Sequence, residues 1–231
     1  MEKQMPTDLV SFKNKTATKV NISMDFLKSM SSRRSIREFS NEKVDMEIIK
    51  NAIATAGTAP SGANKQPWFF AVITDQSMKN SIKAAAEDVE FNFYNKTAPQ
   101  FWLDDLRPFG TCPLKPYLAE APVLIGIFSR TNVETTELSS NKAYYPIEST
   151  CIATGLLITA LHLSGLSTLT HTPRPLSFLN GILGLNSSFK PLIILVVGYP
   201  ASGKKIPSID KKSLNEIMKI YETEDADKIS V

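Results

Sequence analysis

The sequence predicts an α+β domain in which a mixed central β-sheet is flanked by helices. Apolar, β-prone runs alternate along the chain with segments of helical periodicity, which is the first observation that predicts this class. The second is size, because 231 residues with 42% hydrophobic content can bury a full core and no linker-like composition divides them. We therefore expect residues 1–231 to form one domain.

The elements of this domain follow from the pattern in chain order. Asp45 is a suitable N-cap for a helix whose apolar side chains recur at helical spacing as far as Gly57. The rest of the pattern predicts a strand at 68–73, a helix from 77 to about 95, a buried strand at 121–128, a helix at 145–163, a strand at 167–171, a short helix at 176–183 and a strand at 192–197. The helix at 145–163 is apolar on nearly all sides, so we expect it to be buried all round.

Composition excludes several classes of partner. The net charge of +3 is small and dispersed, which argues against nucleic acid as a ligand. The two cysteines and two histidines show no metal-ligand spacing, so we expect no metal site and two free thiols in a reducing compartment. No signal-peptide pattern is present, and the longest uncharged apolar run, at 151–163, is shorter than the roughly 20 residues that cross a bilayer. We expect a cytoplasmic protein without membrane contact.

Two neighbouring segments together indicate an anion-binding site. The first, Arg-Arg-Ser-Ile-Arg at 33–37, holds three guanidinium groups, which are rigid bidentate donors suited to phosphate. The second, at 58–63, contains a Pro-Ser-Gly turn whose glycine lets backbone N–H groups approach a planar ligand. The arginines alone are more simply explained as a solvated basic helix end. The second segment shifts the interpretation to a phosphate site.

Six motifs in order resemble the nitroreductase superfamily of FMN flavoproteins, and within it the iodotyrosine deiodinases. They are Arg-Arg-Ser-Ile-Arg (33–37), Thr-Ala-Pro-Ser-Gly-Ala (58–63), Gln-Pro-Trp (66–68), Glu-Ala-Pro-Val-Leu-Ile (120–125), Thr-His-Thr-Pro (170–173) and Val-Gly-Tyr-Pro (197–200). The resemblance runs from about residue 33 to about residue 210. It implies a nitroreductase-like fold and an intertwined homodimer with FMN at the subunit interface.

The resemblance also assigns residues to the cofactor. These are Arg33, Arg34, Ser35, Arg37, Pro60, Ser61, Gly62, Thr170, Thr172 and Lys204, with Lys205 as the alternative to the last. A hydroxyl of Thr172 near flavin N5 would favour one-electron chemistry, which makes Thr172 the candidate catalytic residue. Residues 1–30 are then an N-terminal extension. Residues from about 208 to 231 are a C-terminal arm, although their composition fits a frayed polar end equally well.

Three residues between 90 and 117 bear on the choice of substrate. Glu90 and Tyr94 stand four apart and share one face of a predicted helix, and Lys115 follows beyond several prolines. An anion, a hydroxyl and a cation suit the zwitterion of an amino acid, although a surface Glu–Tyr pair and an unrelated Lys fit the same letters. The resemblance implies that the three bind halotyrosine, with its phenolate on the backbone N–H of Ala63.

The segment from about 90 to 117 is predicted to be an active-site lid. Four prolines and a glycine disfavour a continuous helix and suit a segment that closes over a ligand. The aromatic side chains of Phe91, Trp102 and Tyr117 either contact the substrate ring or hold the lid to the core. His171 is either a flavin neighbour or a packed residue at a strand end.

The resulting hypothesis is an enzyme that uses FMN to convert halogenated tyrosine to tyrosine and halide by sequential one-electron transfer, with an electron donor that the sequence does not identify. Two alternatives remain open. One is an NAD(P)H-dependent nitroreductase or quinone reductase in which Glu90, Tyr94 and Lys115 coincide by chance. The other is a flavin- or amino-acid-binding module without catalysis.

Overall fold

A single four-stranded sheet organises the chain in a computed structural model that describes residues 16–133, 141–203 and 206–221. The strands are β1 Trp68–Ile73, β2 Val123–Arg130, β3 Ser167–His171 and β4 Phe189–Gly198. Their order is β1-β2-β4-β3 and every pairing between them is antiparallel. Strands β1 and β3 are therefore the two edges of the sheet.

The helices lie on both sides of this sheet. They are α1 Thr16–Ser32, α2 Met46–Gly57, α3 Gln76–Asn92, α4 Gln100–Leu106, α5 Tyr117–Glu120, α6 Pro146–Leu163, α7 Phe178–Leu183 and α8 Leu214–Ile217. The predicted cap is present, because an Asp45 side-chain oxygen accepts the Glu47 N–H at 2.9 Å. Asp75 caps α3 in the same way through Met78. Each cap satisfies backbone donors that a helix start leaves without a partner.

Two apolar clusters fill the two faces of the sheet. One cluster joins the sheet to α3, α5 and α7, and the other joins it to α2 and α6. Strand β4 supplies both, with Ile194 and Val196 in the first cluster and Leu195 and Val197 in the second. Alternate strand residues point to opposite faces, so this ten-residue strand is apolar without interruption near its end. The α+β class with flanking helices is confirmed.

Some predicted details differ from the structure. Among the described residues, the parallel component of the predicted mixed sheet is limited to an isolated bridge between Ser35 and Thr168. The strand predicted at 121–128 begins two residues later, because Pro122 has no N–H to donate to a neighbouring strand. The helix predicted to reach residue 95 is α-helical to Asn92 and continues as one wider turn, Phe93–Thr97.

The prediction that α6 is buried all round is wrong for a single chain. Ala153, Leu157 and Leu161 are fully buried against α2 and the sheet, whereas Ile147 and Ile152 are about half exposed. By length and composition alone, α6 is the one helix in the described part of the chain that could cross a membrane. Its packing against the sheet is that of a core helix with a second apolar face directed outward.

Candidate active site

The arginine cluster is fixed to the edge strand β3. Ser35 bridges Thr168, and the Ile36 N–H donates to the Thr168 carbonyl at 3.2 Å. This extended backbone buries Ile36 in the core and leaves the flanking Arg37 partly exposed on the other side. Alternation along an extended segment thus separates one core residue from the candidate anion-binding residues around it.

Two adjoining cavities surround this segment. The larger, about 260 Å³, is lined by Ser35 and Arg37 together with Phe109 and Gly110 from the predicted lid. The smaller, about 140 Å³, is lined by Arg33 and by backbone and side chains of neighbouring residues that include Arg34, Ser167 and Thr168. All three arginines and the Ser35 hydroxyl group thus belong to residues that line these two cavities. Such a set of cationic and hydroxyl donors fits a phosphate monoester.

The loop after α2 holds a strained backbone at the second predicted motif. Ala63, Asn64 and Gln66 have φ values of 49°, 53° and 47°, which side-chain-bearing residues adopt only rarely. The N–H groups of Asn64 and Lys65 are used within the loop, whereas that of Ala63 has no hydrogen-bond partner in the described part of the chain. Strain of this kind is common where a backbone donor faces a ligand.

Glycine is required at position 62 because the chain passes close to a tyrosine. A Cβ at Gly62 would lie 2.9 Å from the Tyr144 Cβ and 3.0 Å from the Tyr144 carbonyl oxygen. Both distances are too short for a carbon contact. The Pro60-Ser61-Gly62 turn is stabilised from inside as well, since the Ser61 hydroxyl accepts the Gln66 N–H at 2.9 Å. No local sequence pattern predicts that Tyr144 covers this turn.

The structure brings Glu90, Tyr94 and Lys115 together. The Lys115 ammonium lies 3.1 Å from a Glu90 carboxylate oxygen and 5.2 Å from the centre of the Tyr94 ring. The side chains of Glu90 and Lys115 are 14% and 6% exposed, so this ion pair is shielded from water. Burial raises the pKa of Tyr94, and the nearby Glu90 charge adds to this effect. The hydroxyl therefore stays protonated and can donate.

Glu90, Tyr94 and Lys115 lie beside the larger cavity, which Arg37 lines. The charge of Arg37 acts on both Tyr94 and Tyr117, opposing the rise in their pKa values. Phe109 and Gly110, at the far end of the lid, line the same cavity as Arg37. One side of the candidate site is thus continuous within a single chain, from the arginine cluster to the three clamp residues, Glu90, Tyr94 and Lys115.

Hydrogen bonds join residues of the predicted lid to one another beside the clamp. The Tyr94 hydroxyl donates to the Thr111 hydroxyl at 2.8 Å, and the Lys115 ammonium also donates to the Cys112 carbonyl. Trp102 packs edge-on against Phe93, with ring centres 5.0 Å apart. As predicted, the prolines interrupt the segment, since α4 begins after Pro99 and ends before Pro108.

His171 and Tyr117 form a buried polar pair below the clamp. The Tyr117 hydroxyl and His171 Nδ1 are 3.3 Å apart, and His171 Nε2 is buried without a hydrogen-bond partner in the described part of the chain. Burial, helped by the positive charge of Lys115, lowers the pKa of His171 to about 3, so the ring is neutral. Burial raises the pKa of Tyr117 far above its usual range. Of the two possibilities that the sequence left open for His171, packing at the strand end describes this position.

The remaining predicted residues are placed less completely. Thr170 and Thr172 are exposed at the end of β3. His171, which stands between them, is buried. Lys204 and Lys205 lie outside the described residues. Phe91 is 57% exposed and Trp102 50%, whereas Tyr117 belongs to the core.

Sequence reasoning missed Glu87, which accepts the Lys115 backbone N–H, and Thr111. The spacing of Glu87 three residues before Glu90, on the same helix face, was the available signal.

The chain is similar to known proteins along most of its length. The model of the nitroreductase family matches residues 30–199. The chain is 43% identical to the iodotyrosine deiodinase of Haliscomenobacter hydrossis over 86% of this chain and 90% of that protein. It is 40% identical to the human iodotyrosine deiodinase 1 over 86% of this chain and 69% of that protein. The crystal structure of an oxidized iodotyrosine deiodinase bound to FMN and 3-iodo-L-tyrosine superimposes with a TM-score of 0.71, at 30% identity, over 86% of this chain and 99% of that one. The chain therefore belongs to the nitroreductase family, among the iodotyrosine deiodinases.

Proposed function

We propose that this protein is an FMN-dependent deiodinase that converts halogenated tyrosine to tyrosine and halide. The observation that carries the proposal is the shielded group of Glu90, Tyr94 and Lys115 beside Arg37, in a chain that is similar to iodotyrosine deiodinases along most of its length. General nitroreductases have no requirement for an amino-acid zwitterion. A paired anion and cation beside a flavin site are what that zwitterion needs.

Binding of the zwitterion is charge-balanced at this clamp. Without substrate, Glu90 and Lys115 neutralise each other at 3.1 Å. A substrate ammonium offers Glu90 a new partner and a substrate carboxylate offers Lys115 one, so a single ion pair is replaced by two. Tyr94, held protonated by burial, donates its one O–H to Thr111, and its oxygen can accept a hydrogen bond from the substrate ammonium. Phenols that lack the amino-acid group leave the Glu90–Lys115 pair as it is and gain no ion pair of their own, so they should bind more weakly.

FMN fits the cationic and hydroxyl donors around Arg33, Ser35 and Arg37, and when bound it supplies the electrons, one at a time. Arg33 and Ser35 would hold its phosphate, with Arg34 beside them, and Thr170 and Thr172 would line the flavin side of β3. The backbone N–H of Ala63 would donate to the substrate phenolate oxygen. The chain's own contribution is orientation and charge stabilisation in a closed, water-poor site. The carbon–halogen bond breaks and a carbon–hydrogen bond forms, with two electrons and one proton consumed.

A homodimer with FMN at its interface completes the proposal. The arginine cluster lies at edge strand β3, whereas the loop with Ala63 leads into the opposite edge strand β1. Three strand spacings separate these edges, about 14 Å, so a second copy is well suited to bring its own loop to the first copy's arginines. Large apolar side chains stand exposed on α1, on α6 and near the C-terminus, among them Phe26, Ile152 and Ile217. Exposed apolar area of this extent is typical of an interface.

The remaining parts of the proposal concern the whole chain. We assign residues 1–231 to one domain, with an N-terminal extension at 1–30, an active-site lid at about 90–117 and a C-terminal arm at about 208–231. A capping box in which Ser213 and Glu216 bond each other supports an ordered arm in its described part. The exposed free thiols of Cys112 and Cys151 favour the cytoplasm.

Charge-neutral variants of the clamp test the proposed function. Lys115→Gln or Glu90→Gln leaves the other charge shielded and without its partner. Breaking a fully buried ion pair in this way destabilises a protein by about 3–5 kcal/mol. We expect the dissociation constant for 3-iodotyrosine, followed by flavin fluorescence, to rise at least about 100-fold, while FMN content stays equal to that of the wild type. Lys96→Gln, which removes an exposed charge from the same segment, is the matched control. Unchanged affinity in the two clamp variants would contradict the assignment.

A further inference from the structure

Glu87 fixes the backbone of a clamp residue. One of its carboxylate oxygens accepts the backbone N–H of Lys115 at 2.6 Å, and the other accepts the Lys83 ammonium at 2.9 Å. The Glu87 side chain is 18% exposed, so it lies largely under the lid. A carboxylate that accepts a backbone N–H forms a charge-assisted hydrogen bond, which is about twice as strong as a neutral one. This bond spans 28 residues of sequence and joins helix α3 to the end of the lid.

Lys115 is held by α3 at both of its ends. Glu87 binds its backbone, and Glu90, one helical turn later on the same face, binds its ammonium at 3.1 Å. The Lys115 carbonyl is also engaged, because it accepts the Leu118 N–H at 3.1 Å and so starts helix α5. The position and direction of the Lys115 side chain therefore depend on Glu87.

The local sequence makes this backbone donor valuable. Residues 113–116 are Pro-Leu-Lys-Pro, and a proline has no N–H. Only two backbone donors are present in these four residues, and Glu87 uses the one that belongs to Lys115. Lys83 neutralises Glu87, which keeps its carboxylate from competing with Glu90 for the Lys115 ammonium.

We propose that Glu87 is a positioning residue of the substrate clamp. It does not touch substrate; it holds the Lys115 backbone so that the ammonium is already in place when the carboxylate of a halotyrosine arrives. This inference rests on the proposed function. It predicts a loss of affinity that is confined to ligands with an amino-acid group, because the ring of the ligand is bound elsewhere, by the flavin and the Ala63 N–H.

The experiment compares two ligands on the FMN-loaded protein. The probes are 3-iodotyrosine and 2-iodophenol, which has the same ring without the zwitterion, and binding is followed by flavin fluorescence. We expect Glu87→Ala to raise the dissociation constant for 3-iodotyrosine about tenfold or more, since it removes a charge-assisted hydrogen bond. Glu87→Gln keeps an oxygen acceptor and should raise it about threefold. Affinity for 2-iodophenol should stay within twofold of the wild-type value in both variants.

Controls separate positioning from general damage and from failure of the proposed function. Asp88→Asn removes a charge from the neighbouring exposed position and should leave both affinities unchanged. Equal weakening of both ligands in Glu87→Gln, or unchanged 3-iodotyrosine binding in Glu87→Ala, would overturn the role of Glu87. A wild-type protein that binds neither ligand would overturn the proposed function itself.

Discussion

Replacement of the buried His171 should make the fold less sensitive to acid. The ring is 6% exposed and its pKa is lowered to about 3 from an ordinary 6.5, chiefly by burial and then by the Lys115 charge. In the unfolded chain the same ring titrates normally, so between these two values the unfolded state binds more protons. The free energy of unfolding is therefore unaffected by His171 protonation above about pH 6.5. It decreases as the pH falls from 6.5 toward 3, because protonation of His171 then favours the unfolded state.

The size of this effect at pH 5 follows from the two pKa values. An unfolded histidine with a pKa of 6.5 is mostly protonated at pH 5, while the folded one is not. The resulting loss is about 2 kcal/mol of unfolding free energy relative to pH 7.5. It depends little on the folded value, because pH 5 lies well above about 3. His171→Asn keeps a polar atom near the position of Nδ1, so the Tyr117 hydroxyl can retain a partner.

Denaturant unfolding measures the prediction as a difference of differences. Wild type and His171→Asn are unfolded at pH 7.5 and pH 5, each with saturating FMN. The effects of the other titrating groups cancel because those groups are the same in both proteins. The wild-type free energy of unfolding should fall by about 2 kcal/mol more than that of the variant. Equal falls would show that His171 is readily protonated in the folded state, and the description of the Tyr117–His171 pair as buried and neutral would be wrong.

Three further substitutions probe other contacts. Thr111→Val removes the acceptor of the 2.8 Å bond from Tyr94 and should raise the dissociation constant for 3-iodotyrosine about three- to tenfold, with an unchanged constant contradicting a role for this bond. Gly62→Ala places a Cβ 2.9 Å from the facing tyrosine; we expect a lower melting temperature and weaker FMN retention on dialysis, and wild-type values for both would refute the steric argument. Arg33→Gln should lower FMN affinity at least about tenfold while Arg107→Gln, at an exposed ion pair, leaves it unchanged; equal FMN affinity in the two variants would remove Arg33 from the cofactor site.

Several parts of the fold and site could be predicted from the sequence because they depend on local chemistry. Asp45 predicts a helix start because its side-chain oxygen can act as an N-cap. The β-prone run at Trp68–Ile73 is a strand, as predicted. Glu90 and Tyr94 share a face because four residues make about one helical turn. The meeting of Lys115 with Glu90 was inferred from family resemblance, since no local pattern carries a contact across 25 residues of lid.

Other parts depend on contacts that a single sequence does not encode locally. His171, at the end of strand β3, is covered by Tyr117, which belongs to helix α5. The requirement for glycine at position 62 comes from Tyr144, more than 80 residues away. The outward apolar face of α6 looked like core, because composition does not distinguish burial within one chain from burial against another.

The most direct test of the account is turnover of 3-iodotyrosine by the purified protein loaded with FMN. The protein is titrated with 3-iodotyrosine while flavin fluorescence is recorded, dithionite is added to the same sample, and tyrosine and iodide are quantified. We predict saturable quenching followed by release of tyrosine and iodide in equal amounts. An absence of binding, together with rapid oxidation of NAD(P)H by a nitroaromatic compound, would instead identify a general nitroreductase and contradict the role of the clamp.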